Sequence, residues 1–315
     1  MKIAITGCAG FIGSNFLDEL ILDGHEVIGI DNFSTGRKNF LENSFSSKNF
    51  KLIEEDLFTS NSLPEIFKSC ELIIHLSANA DVRFGLENTS KDLNQNTIVT
   101  YKILEAMKEN GIKKIAFSST GSVYGDSKII PTPEDTNFPI QTSLYAASKL
   151  AAEGLISSYS NGFEIQSWIF RFVSILGPRY SHGHVYDFYK KLIENPKELE
   201  VLGNGKQRKS YLHVKDCISG VKLALEKSND LINIFNLGTD DYCEVNDSIK
   251  WILNDLNIDP KINYTGGERG WVGDNPFIYL DTKKIRNLGW SADMGIKDSI
   301  ISTLDYLKNN HWLIK

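Results

Sequence analysis

A doubly wound α/β fold follows from three features of this chain. Met1 to Thr6 reads as a short buried strand that runs into Gly7-Cys8-Ala9-Gly10-Phe11-Ile12-Gly13, and a helical pattern of Phe16, Leu17, Leu20 and Ile21 follows at once. Further apolar runs end in polar residues: Glu26-Val27-Ile28-Gly29-Ile30 before Asp31, then Leu52 to Leu57, Leu72 to Ala78, and Lys114 to Thr120. Helical stretches such as Thr97 to Met107 alternate with them. Apolar strands separated by helices imply a parallel sheet covered on both faces. Ligands of such sheets sit beyond the carboxyl ends of the strands, where these polar residues fall.

The order strand, glycine turn, helix presents backbone N–H groups at a helix N-terminus to a pyrophosphate. Gly7 allows the tight turn, Gly10 the close approach of phosphate oxygens, and Gly13 the packing of helix on strand. The spacing is GxxGxxG rather than the general GxGxxG. Asp31 stands about 20 residues further on, where an acid accepts hydrogen bonds from an adenosine ribose. It would repel a 2′-phosphate, so NAD is expected over NADP. The expectation is a Rossmann domain over residues 1–176 and a smaller C-terminal α/β substrate-binding lobe over 177–315, some segments of which return to the sheet.

In that second half, Ser167 to Phe172 is another apolar strand, Gly177-Pro178 breaks the alternation, and helices are expected at His184 to Glu194, Lys215 to Lys227, Val245 to Leu256 and Thr282 to Asn287. Gly203 to Asp216 and Gly266 to Trp271 place cations beside flexible glycines and an aromatic, a chemistry suited to a diphosphate and a base ring. A solvated loop is the plain alternative for each.

Tyr145-Ala-Ala-Ser-Lys149 carries the chemistry. At i and i+4 the two side chains share a helix face, so the ammonium can stabilise a phenolate whose unperturbed pKa is ~10. Such spacings are common. What distinguishes this one is its company: the glycine turn and the Ser118-Ser119-Thr120 cluster at a strand end.

With 315 residues, 41% of them hydrophobic, the chain can bury a sizeable core. The net charge of −6 argues against a nucleic-acid partner. No apolar run approaches ~20 residues and no charged-then-apolar leader opens the chain, so neither a membrane span nor a signal peptide is expected and the location should be cytoplasmic. Cys8, Cys70, Cys217 and Cys243 lack ligand spacing and read as reduced thiols. His182-Gly183-His184 invites a metal, but no third ligand is placed nearby, and a loop with polar contacts is the better reading.

Together these pieces resemble the extended short-chain dehydrogenase/reductase family, and within it the nucleotide-sugar epimerases and dehydratases. The similarity runs through TGCAGFIG at 6–13, DNFSTG at 31–36, DL at 56–57, HLSA at 75–78, Asn96 ahead of LEA at 104–106, SSTGSVYG at 118–125, YAASK at 145–149 and RFVSILGPR at 171–179. The resemblance implies that Tyr145 is the acid/base, that Lys149 lowers its pKa and holds the nicotinamide ribose, and that Thr120 hydrogen-bonds the sugar hydroxyl being oxidised. It assigns NAD to Gly7, Gly10, Phe11, Ile12, Gly13, Asp31, Asn32, Ser34, Thr35, Gly36, Asp56, Leu57, Leu76, Ser77, Ala78, Asn96, Ser118, Tyr145, Lys149 and Phe172. The nucleotide sugar falls to Thr120, Ser174, His184, Val185, Lys209, Tyr211, Arg269 and Asp274.

Sugar-nucleotide 4,6-dehydratases carry an Asp–Glu pair after that Thr, where this chain has Gly121 and Ser122, and the related decarboxylases keep a Glu at the Ser122 position. The resemblance therefore favours an epimerase acting at C4 of a UDP-hexose or a derivative. Rivals are a reductase or dehydratase of the same fold, and a non-catalytic NAD-sensing protein. The family's Asn is Ser174 here, its Arg-Asp before the aromatic is Lys209-Ser210, and its Arg-Pro-Gly-Asp is matched loosely by Arg269 to Asp274. Helices around Asn94 to Asn110 and Ser143 to Ser160 could pair across a homodimer.

Overall fold

The computed structural model describes residues 1–79, 84–137, 139–270, 274–275 and 277–314. Its chain divides into two units. The first comprises residues 1–123, 143–171 and 222–235, and the second 124–142, 172–221 and 236–315. The chain passes between the units five times.

The first unit is built on a parallel sheet of seven strands. Six are β1 (Lys2–Thr6), β2 (Glu26–Asp31), β3 (Phe50–Glu54), β4 (Leu72–His75), β5 (Lys114–Thr120) and β6 (Gln166–Phe172); the seventh is Ile232–Leu237. From the edge inward the order is Ile232–Leu237, β6, β5, β4, β1, β2, β3. The order reverses at β1, whose register pairs Thr6 with Ile30 on one side and with His75 on the other. This reversal is where an open α/β sheet leaves a crevice for a ligand.

Ile3, Ala4, Ile5, Ile73, Ile74 and Ile115 are almost wholly buried in these strands. Helix Val99–Asn110 packs Ile103, Leu104 and Met107 into the same core as Ala152 and Ile156 of helix Leu144–Phe163. A methyl or methylene group buried this way contributes about 0.8 kcal/mol.

Two strands stop earlier than their apolar runs, for local reasons. After β3, the Asp56 carboxylate accepts the N–H groups of Phe58 (2.8 Å) and Thr59 (3.3 Å), turning the backbone away. After β4, the Thr6 hydroxyl takes the N–H groups of Leu76 and Ser77, both at 3.2 Å.

The second unit holds small sheets. Ser174–Leu176 pairs in parallel with Tyr211–His213. Arg208–Lys209 lies between Cys243–Glu244 and Phe277–Ile278, so the basic stretch within Gly203 to Asp216 is partly strand. Glu198–Val201 pairs with Lys261–Tyr264. Helices His184–Glu194 and Val245–Leu256 have the expected bounds, and Val214–Lys227 and Lys283–Arg286 lie close to theirs.

Candidate active site

Gly7 follows β1 with φ of 71°, and a Cβ there would fall 2.8 Å from the Ser77 nitrogen at the end of β4. Gly13, in helix Phe11–Leu22, lies so close to the turn that a Cβ would meet the Gly7 carbonyl oxygen at 2.0 Å. These two positions admit no side chain. Gly10 is the N-cap of the helix and offers no side-chain cap to its first turn. Beside the turn, the buried Ser77 hydroxyl finds no partner among the described residues.

Asp31 ends β2, and its carboxylate accepts the Ala9 N–H at 2.9 Å and the Phe33 N–H at 2.8 Å. It thus ties the glycine turn to the second strand. Burial pushes its pKa up, and the two N–H donors pull against that shift. Asn32 is exposed and donates to Asp56 at 2.7 Å; Ser34 and Thr35 are exposed in the turn that follows, and Gly36 packs against Asp31 and Ala9. Leu57 is buried, and Leu76 and Ala78 are half-buried past the end of β4. The uncapped turn, the orphaned Ser77 hydroxyl and the acid at the end of β2 fit the pyrophosphate and ribose of NAD.

Ser143 starts helix Leu144–Phe163 by accepting the Ala146 N–H at 3.1 Å, a cap worth about 1 kcal/mol. Three consecutive residues of β5 face three residues of this helix, spaced one turn apart. Thr120 acts on the Tyr145 phenol, lowering its pKa. The Ser118 carbonyl accepts from Lys149 Nζ at 2.8 Å. Ser119 Oγ donates to Glu153. Lys149 is 2% exposed and lies over the Phe117 ring, 4.6 Å from its centroid.

Burial of the phenol pushes the Tyr145 pKa up to about 12; the Thr120 bond lowers it and the Asp92 charge adds to the rise. Lys149 is pushed down to about 7 by burial, against the pull of Glu153. The Lys149 ammonium itself donates to Ser118.

Asn96 sits in a π-helical segment, Leu93–Ile98, a distortion frequent at functional sites. Its amide donates to Ser148 Oγ at 2.9 Å, and its Oδ1 accepts the Asn79 N–H at 2.8 Å. The Asn79 amide in turn donates to buried Asp92 at 2.7 Å. Asn96 therefore braces the Tyr145 helix.

Sequence reasoning missed Glu153 and its partner Arg171, which pair at 2.7 Å with both side chains buried. Losing one member of such a pair costs about 3–5 kcal/mol. The available signals were a carboxylate one turn past Lys149 and an Arg inside the apolar run Ile169 to Phe172.

The remaining assigned residues lie in the second unit. Phe172 and Val185 are buried and Ser174 is exposed. His184 bonds Ser248 at 2.9 Å and packs its ring 4.7 Å from that of buried Tyr211; burial lowers its pKa to about 3. Lys209 Nζ pairs with buried Asp274 at 2.8 Å. Arg269 pairs with Asp126 at 2.8 Å and donates to the Asp274 carbonyl. Trp271 to Gly273 lie outside the described residues. Among the described residues, no group of three or more His, Cys, Asp or Glu could hold a metal ion.

A glycine turn at the reversal of a parallel sheet, with a Tyr/Lys pair on the helix after β5, defines a dinucleotide-dependent enzyme. The chain belongs to the NAD dependent epimerase/dehydratase family, whose model it matches over residues 3–238. It is 32% identical to a putative UDP-glucose 4-epimerase of Methanocaldococcus jannaschii, covering 98% of this chain and 99% of that one. A solved UDP-galactose 4-epimerase superposes with a TM-score of 0.88 at 32% identity, over 99% of this chain and all of that one. The UDP-glucuronic acid 4-epimerase of Bacillus cereus, solved with UDP-glucuronic acid and NAD, gives 0.90 at 28% identity, over 98% and 99% of the two chains.

Proposed function

We propose that this protein interconverts the C4 epimers of a UDP-hexose or a UDP-hexose derivative through a 4-keto sugar. NAD, held at the glycine turn and Asp31, would supply reversible hydride transfer at C4. Tyr145 takes the proton from O4 and later gives it back. Thr120 bonds the same hydroxyl and steadies the phenol. Lys149, as a buried cation one turn away, compensates the charge that develops on Tyr145.

The observation that carries this reading is Tyr145 one helical turn from buried Lys149, whose ammonium donates to the Ser118 carbonyl at 2.8 Å, with Gly121 and Ser122 following Thr120. That set supplies an acid/base for an oxygen and none for a carbon. Lys209, Arg269 and Asp274 are proposed for the nucleotide diphosphate, with Ser174, His184, Val185 and Tyr211 completing its site. Phe172 is proposed for the cofactor. The test is an assay of the purified protein with UDP-, GDP-, CDP- and dTDP-sugars, products identified by NMR. C4 epimerisation of a UDP-sugar is expected, and consumption of stoichiometric NADPH would favour a reductase.

Leu93, Tyr101 and Phe163 are exposed on the segments Leu93–Asn110 and Leu144–Phe163. We propose that this face meets a second copy of the chain. Tyr101→Asp should then lower the molar mass measured by light scattering. No helix among the described residues is long and apolar enough to cross a membrane, and a cytoplasmic location is part of the same proposal.

A further inference from the structure

The acid/base reading of Tyr145 and Lys149 leaves one physical problem, and Glu153 answers it. Lys149 is almost fully enclosed, it donates to a carbonyl and lies over an aromatic ring, and an isolated ammonium in such a place tends to give up its proton. Four residues on, Glu153 shares its helix face. Glu153 is itself 4% exposed and held from two other elements. Arg171 of β6 donates to it through Nε (3.1 and 3.3 Å) and through a second nitrogen (2.7 Å), and Ser119 of β5 donates from its hydroxyl. These donors fix the carboxylate in place on the helix face that carries Lys149.

We propose that Glu153, clamped by Arg171 and Ser119, is a positioning residue that keeps the buried Lys149 side chain in its charged form for the reaction at Tyr145.

The charged and titratable groups around Lys149 are few among the described residues. Tyr145 and Glu153 lie on its own helix; His75 faces it from β4, and Arg171 stands behind Glu153 on β6. His75, pushed down to about 3 by burial, is neutral over the working range and adds no charge. Arg171 is cationic throughout, so its proton does not vary. Of these groups, Glu153 is the anion whose pull on Lys149 opposes the effect of burial.

The proposal rests on the Tyr145/Lys149 site, but it is tested without any sugar. Carbon-labelled lysine is introduced into the NAD-loaded protein, the Lys149 resonance is assigned with Lys149→Met, and its titration is followed by NMR. In Glu153→Gln the midpoint should fall by about one pH unit or more, because the anion is removed while the Arg171 cation stays. Glu153→Gln/Arg171→Met supplies a second background in which that cation is removed as well. There the midpoint should fall in the same direction but by less. Glu153→Asp should restore most of the shift. Where a substrate is in hand, the alkaline limb of kcat should move to lower pH with the NMR midpoint. A Lys149 midpoint that stays put in the folded double variant would overturn the proposal, whatever the sugar assay gives.

Discussion

Lys149 and Ser118 are joined by a 2.8 Å hydrogen bond from the ammonium to a main-chain carbonyl at the end of β5. This bond fixes the helix to the strand end where the sheet delivers its ligands. The position of the phenol therefore depends on backbone, not on a loop.

Tyr145→Phe removes the hydroxyl and leaves the Lys149–Ser118 bond in place. Turnover should fall by about 100- to 10,000-fold, while NAD content, read by absorbance after denaturation, stays near that of the unchanged protein. Activity close to the original would remove Tyr145 from the mechanism.

Gly13→Ala forces a methyl group to within 2.0 Å of the Gly7 carbonyl oxygen, which is backbone and cannot swing aside. A loss of about 1–3 kcal/mol in stability is expected, together with loss of bound NAD. Gly154→Ala is the control: it lies in helix Leu144–Phe163, a Cβ there meets nothing within 4 Å, and helix propensity favours the change. Equal NAD retention in the two variants would contradict this account of the glycine turn.

His75 is fully buried between Thr6 and Thr100, with ring nitrogens 2.9 and 3.0 Å from their hydroxyls. Burial, and then the Lys149 charge, lower its pKa from 6.5 to about 3. The unfolded chain binds the extra proton between those values, so stability should rise with pH across that window and be lost as pH falls through it. His75→Gln should flatten that slope in denaturant titrations at a series of pH values. An unchanged slope would show that other groups govern acid unfolding.

Gly121 and Ser122 open the short helix after Thr120, and the Ser122 N–H is taken by the Thr120 hydroxyl at 3.1 Å. Neither side chain can shuttle the protons of an elimination. No 4-keto-6-deoxy sugar should accumulate from any nucleotide hexose, as read by NMR, and its formation at a rate comparable to epimerisation would mean that another acid/base pair is present.

Much of this arrangement is legible in the sequence because it is local. The run Lys114 to Thr120 and the amphipathic helices His184–Glu194 and Val245–Leu256 are long enough for their periodicity to set type and bounds. The glycine turn announces itself by spacing. Two-residue strands such as Arg208–Lys209 and Phe277–Ile278 carry no period at all. The clamp on Glu153 joins residues 18 and 34 positions away in the chain, so it exists only once β5, β6 and the helix are packed. Asp31 was legible as an acid at a strand end, whereas its bond to Ala9 was not, since nothing in the spacing says which N–H the carboxylate will meet.

The central claim is that the C4 hydrogen leaves and returns as hydride, never meeting water, while Tyr145 handles the O4 proton. Epimerisation run in deuterated solvent, with substrate labelled at C4 in a parallel reaction, tests it most directly. The account predicts product without solvent deuterium at C3, C4 or C5, and full retention of the C4 label. Deuterium at C3 or C5 would instead establish an enolising epimerase, and loss of the C4 label would contradict hydride return.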